Sequence, residues 1–226
     1  MRWLINPSVM ALTFLIGASV VGFGHREVVS LAIPQVVKPV ATDKSQADLE
    51  AEKYAVLSAV IKDMYLQGGT TQMVIEHEAT CPAPGLSKEV SEEGSPASES
   101  EKDAITALPE LKSETMNDFH ANKRKCRQLA RKFDIPVPYV LVTDKDTDRF
   151  FGQDNLRLGW QTFYAKFKGS PGITTFSNVG FDDAMTQALL TTGNTCGGLC
   201  GAGYFVLLEK KDGVWFVKNK IVTWIS

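Results

Sequence analysis

Residues 204–225, YFVLLEKKDGVWFVKNKIVTWI, decide the fold. Two runs rich in β-branched and aromatic side chains, Tyr204 to Lys210 and Val214 to Ile225, flank Asp212-Gly213. An Asp-Gly pair between such runs marks a tight hairpin, because both central residues of a type I′ turn need positive φ. Ile173 to Val179 and Met185 to Thr192 share this texture. A C-terminal four-stranded antiparallel meander is therefore expected.

Upstream of it the period changes to that of helices. Tyr54, Leu57, Ile61, Met64 and Tyr65 recur at helical spacing behind Ser45 and Asp48, which resemble a capping pair, and Gly68-Gly69 ends the run. A short strand is expected at Gln72 to Ala79, with Met73, Ile75, His77 and Ala79 on one face. Met116, Phe119, Cys126, Leu129 and Phe133 predict a second helix over Ser113 to Lys132, whose other face is basic and reads as solvated. Pro136 and Pro138 break it ahead of an edge strand at Val137 to Thr143. A third helix over Leu156 to Phe167, capped by Asp154 or Asn155, carries a core stripe of Leu156, Trp160, Phe163, Tyr164 and Phe167. The expected class is α+β: about three helices interleaved with short strands, then the meander, its apolar face packed on the helices.

The N-terminus has a different character. Val9 to Phe23 is apolar or small throughout, so residues 1–24 read as a signal peptide or an N-terminal membrane anchor, with Gly22 and Gly24 as a small pair ahead of His25. Trp3 to Phe23 is long enough to cross a bilayer, so membrane association through residues 3–23 is open. Residues 25–44, with Pro34 and Pro39, form a linker to a single domain at 45–226. Residues 82–105 read as a disordered insertion with six acids against Lys88 and Lys102. The 24 basic and 26 acidic residues leave a net charge of −2, which excludes a nucleic-acid footprint.

All four cysteines, Cys81, Cys126, Cys196 and Cys200, follow the apolar segment, an even number in a compartment that permits disulfides. Cys196 and Cys200 sit in the stretch Gly193 to Gly203, which has five glycines in eleven residues and reads as a loop stapled by a disulfide. Cys81 with Cys126 is a further possible pair. A thiol redox centre competes at Cys196/Cys200, but no helix follows to lower a thiol pKa. His25, His77 and His120 are scattered singletons, which argues against zinc and against a cysteine nucleophile with a histidine base. Asp144, Asp146 and Asp148 alternate like the opening of a calcium loop, yet Arg149 stands at the glycine position and Asn155 at the closing glutamate. No cofactor is expected.

Trp160 to Tyr164, Phe176 to Phe181, the Gly193–Gly203 stretch and Lys211-Asp212-Gly213-Val214-Trp215 resemble a group of exported bacterial proteins without an assigned activity. The resemblance covers roughly 47–226, and it implies export and the α+β order of elements. The expectation is an exported protein, periplasmic, extracellular or anchored by its N-terminal segment. It would be a non-enzymatic binding or structural module, its partner unknown, with a thiol-disulfide redox protein as the alternative and a hydrolase behind it.

Overall fold

The computed structural model describes residues 42–79, 106–152 and 155–226. The leader, most of the linker, the acidic insertion, Cys81 and the Asp154 cap lie outside the described residues.

The chain is a mixed α/β fold whose main sheet has seven strands. The C-terminal strands β5 (Ile173–Phe176), β7 (Gln187–Gly197), β8 (Cys200–Lys211) and β9 (Val214–Ile225) run antiparallel in sequence order, as the hairpin signal demanded. Asp212 and Gly213 take φ of 50° and 81°, the two positive values of the expected turn. The run expected at 173–179 is split. After β5 the chain breaks at Ser177, whose N–H donates to Thr191 O and whose hydroxyl accepts from Thr191 N–H, and resumes as β6 (Gly180–Phe181), also on β7.

The meander is not a separate sheet. Strand β5 pairs in parallel with β1 (Met73–Glu76), which pairs in parallel with β4 (Tyr139–Val142), giving the order β4-β1-β5-β7-β8-β9. A central parallel strand is covered on both faces, so Met73, Val74 and Ile75 are all fully buried and the expected alternation over 72–79 is absent. Glu78–Ala79 instead forms β2, paired with β3 (Arg127–Gln128) in a two-stranded sheet.

Helix α1 (Thr42–Val60) ends in a π-helical turn over Ile61–Tyr65 and leaves through Gly68 and Gly69, both at positive φ. It covers one sheet face, where Tyr54, Leu57 and Ile61 meet Ile75, Leu190, Val206 and Leu208. The opposite face takes α2 (Ser113–Asn122), through Phe119 against Leu189, Phe205 and Leu207. It also takes α4 (Leu156–Lys166), whose Phe163 packs with Phe167 against Val74 and Val142. Within α4's aromatic stripe, Phe163 and Phe167 are buried while Leu156 stays 57% exposed.

Helix α2 is half the expected length. Leu129 and Phe133 are buried, but with α1 rather than with Phe119, so one helical stripe in the sequence serves two cores. The chain turns where Asn178 Nδ2 donates to the carbonyls of Asn122 and Lys125. Gly180 lies so close to α2 that an added Cβ would stand 2.3 Å from Phe119 N. A buried knot holds the approach to this helix. Gln187 accepts from Lys112 N–H and the Thr115 hydroxyl and donates to Glu110 O, while Asp182 pairs with Lys112 at 2.7 Å.

The fourth helix, α3 (Asp144–Phe151), stands where Asp144, Asp146 and Asp148 alternate like the opening of a calcium loop. Thr143 and Asp146 close its first turn as a capping box.

A disulfide-tied hairpin end as the candidate functional site

The stretch expected to be a flexible loop is instead strand. Strand β7 continues to Gly197 and β8 begins at Cys200, leaving only Gly198-Leu199 as a turn. Glycine weakens a strand, so the sequence pattern hides this extension. Its glycines answer a packing need. A Cβ on Gly203 would fall 1.9 Å from Trp224 Nε1, and one on Gly201 or Gly193 within 3.0–3.2 Å of the same indole. The Trp224 ring thus lies on a floor of three glycines, an aromatic cover for residues that cannot pack themselves.

Cys196 and Cys200 are joined across the hairpin end, with Cα atoms 5.0 Å apart. Cys200 is exposed and Cys196 half-buried. The Tyr164 hydroxyl donates to Cys196 O at 3.0 Å, which ties the tip to α4. Gly172, at φ +124°, lets the start of β5 pass Thr195, where a Cβ would stand 2.3 Å from the carbonyl oxygen. The tip is therefore fixed by a covalent bond, a ladder and a side-chain anchor. Its turn residue Leu199 is nevertheless 91% exposed. No cysteine among the described residues is free, and Cys126 is also disulfide-bonded.

Two hollows border the tip. One, of about 600 Å³, lies between α4 and the turn and is lined by Leu156, Arg157, Trp160, Gln161, Tyr164 and the Gly197-Gly198 backbone. The other, of about 390 Å³, has Tyr65, Pro171, Asn194 and Tyr204 around the disulfide. Burial pushes the Tyr65 phenol up to about 12 against the opposing bond with Thr192, so it stays neutral. A larger groove of about 740 Å³ between α1 and the start of β9 is remote from the cysteines. Its wall is the small-residue side of α1, and the Lys62–Asp134 pair on it is water-exposed and worth little. It is roomier than either hollow at the tip, but chemistry and rigidity favour the hairpin end.

The other sequence candidates do not converge. Asp144, Asp146 and Asp148 occupy the start of α3, where residues two apart point to different sides, and Asp146 is engaged by Thr143. The hydrogen bonds from Thr143 hold the Asp146 carboxyl below its ordinary value. Among the described residues no group of three or more His, Cys, Asp or Glu is placed to hold a metal ion. His77 follows β1 at the end away from the hairpin, with Nδ1 buried and unpartnered, and His120 is exposed on α2. Neither is positioned as a base for Cys196 or Cys200, both of which are oxidised.

The sequence reading missed Glu76, at the carboxyl end of β1. Burial raises its pKa, and the negative charges of Asp144 and Glu78 raise it further. No local pattern announces this, because β1 and the start of α3 are brought together only by the parallel pairing of β1 with β4. Comparison with protein-family models, with curated proteins and with solved structures returned no match.

Proposed function

We propose that the chain is an exported, disulfide-stabilised binding module whose binding surface is the Cys196–Cys200 hairpin end. One observation carries the reading: a covalently locked turn presents Leu199 at 91% exposure beside an apolar hollow walled by Leu156, Trp160 and Tyr164. An exposed apolar residue beside an apolar hollow forms a patch of the kind that marks contacts, and holding it rigid lowers the entropy lost on binding. The apolar run from Val9 to Phe23 and the oxidised state of every described cysteine support export. Among the described residues no helix is long and apolar enough to cross a membrane.

The alternative, thiol-disulfide exchange at Cys196/Cys200, draws support from the exposure of Cys200. Against it, β8 follows Cys200 directly, so no helix N-terminus is aimed at either sulfur to stabilise a thiolate. The two readings part in a turnover assay with a dithiol reductant and a disulfide-bonded protein substrate. A binding module gives no turnover above that of the Cys196→Ser/Cys200→Ser variant. Catalytic turnover lost in that variant makes the protein an oxidoreductase.

A further inference from the structure

We propose that the hairpin end docks on an anionic lipid surface, with Leu199 and Leu156 entering the headgroup boundary and Arg157 and Lys168 meeting lipid phosphates. The inference rests on the reading of this end as a binding surface and names its partner.

The first support is the distribution of exposed apolar side chains. Of the eight large hydrophobic residues left exposed among the described residues, six belong to this end: Leu156, Leu158, Leu199, Val222, Trp224 and Ile225. They come from three separate elements. The helix start (Leu156) and the turn meet around the 600 Å³ hollow. The end of β9 is brought to the turn by the Ala202–Ile225 register and by Ser226 N–H donating to Gly201 O. Scattered exposed leucines need no explanation, but a cluster gathered from distant sequence marks a contact surface.

The second support is charge. The chain is net negative, yet residues 155–181 contain Arg157, Lys166 and Lys168 and no acid, and the hairpin end itself, 193–203, contains no charged residue. Arg157 lines the hollow, and Lys168 is exposed three residues before Pro171, which lines the other hollow with both cysteines. Neither makes an ion pair among the described residues. By contrast Lys218 and Lys220 on β9 are paired with Glu209 and Asp63. Apolar side chains that protrude, flanked by unpaired cations and cleared of acids, match the boundary of an anionic bilayer, where Leu and Trp enter and Arg and Lys stay at the phosphates. Trp224, at 43% exposure, has the amphipathic indole favoured at that depth.

The test uses the full chain with Trp3→Phe, which leaves Trp160, Trp215 and Trp224, and vesicles of phosphatidylglycerol and phosphatidylcholine carrying brominated acyl chains. Trp215 is buried at the other end of β9, so quenching reports on the hairpin end. Tryptophan emission should be quenched on anionic vesicles, less on phosphatidylcholine alone, and less again at 1 M salt, where screening shortens to about 3 Å. Leu156→Ser with Leu199→Ser should move the titration about tenfold or more to higher lipid. Both side chains are exposed, so the melting temperature serves as a control for folding. Emission that stays unquenched, or quenching that the double variant leaves unchanged, overturns the proposal. Such a result removes only the lipid assignment, because the binding-module reading stands or falls on the turnover assay.

Discussion

Replacing Cys196 and Cys200 together by serine separates a local staple from a bond that holds the domain. The bridged residues are four apart in sequence. In the chain-entropy account a loop this short restrains the unfolded chain by only about 2 kcal/mol. The folded state has little to lose beyond that. Thr195–Gly201 and Gly197–Cys200 remain laddered, Tyr164 still donates to the carbonyl of residue 196, and Trp224 still covers the glycines. For a domain of this size the loss corresponds to a fall in melting temperature of roughly 4–8 °C. Thermal unfolding followed by far-UV circular dichroism, beside urea titration of both proteins, measures it. The urea midpoint should fall with the slope unchanged, since the surface exposed on unfolding is nearly the same. A shift below about 1 °C would refute the chain-entropy argument. A shift beyond about 15 °C would show that the bond supports packing far from the tip.

Gly180→Ala should cost about 2–4 kcal/mol because the new Cβ meets helix backbone at Phe119, whereas Gly203→Ala displaces only the half-exposed Trp224 ring and should cost less than half as much; urea midpoints decide the order. Glu76→Gln should stabilise the protein at pH 7. The folded-state pKa of Glu76 lies above the ordinary 4.5, so the native carboxylate is penalised as pH rises through that range, and the variant's advantage should vanish below it in a melting series. Asp182 has the opposite sign. Its burial raises its pKa, but hydrogen bonds from Lys112, Gln187 N–H and Thr186 outweigh that and hold it well below 3.8. Its contribution is present above that value and fades as pH falls through the lowered one, so Asp182→Asn should lose about 1.5–3 kcal/mol at pH 7 and little at strongly acidic pH.

The elements legible in the sequence are those whose signal is local. Asp212-Gly213 between two β runs states its turn and its strands, and the aromatic spacing of α4 with Asn155 as its cap states a helix. The parallel strands leave no such mark. What joins β1 to β4 and β5 is burial on both faces, which reads as a plain apolar run, and a crossover with no short-range chemistry. Helix α2 was overextended because Leu129 and Phe133 keep helical spacing after the helix has ended, each filling the core under α1. The cysteine pair of the site was legible by spacing. Its setting was not, because the glycines between Gly193 and Gly203 look like loop residues until Trp224, about twenty positions later, is laid on them. The meeting of Leu156 and the Gly197-Gly198 backbone around one hollow is likewise a property of the fold alone.

The most direct test of the account is the state of Cys196 and Cys200 in protein recovered from its native host, with thiols alkylated before lysis and again after reduction, read by peptide mass. A structural disulfide in an exported binding module predicts that neither cysteine is labelled until a strong reductant is added. A substantial fraction of Cys196 and Cys200 labelled at the first step would contradict it and make the exposed pair a working thiol couple.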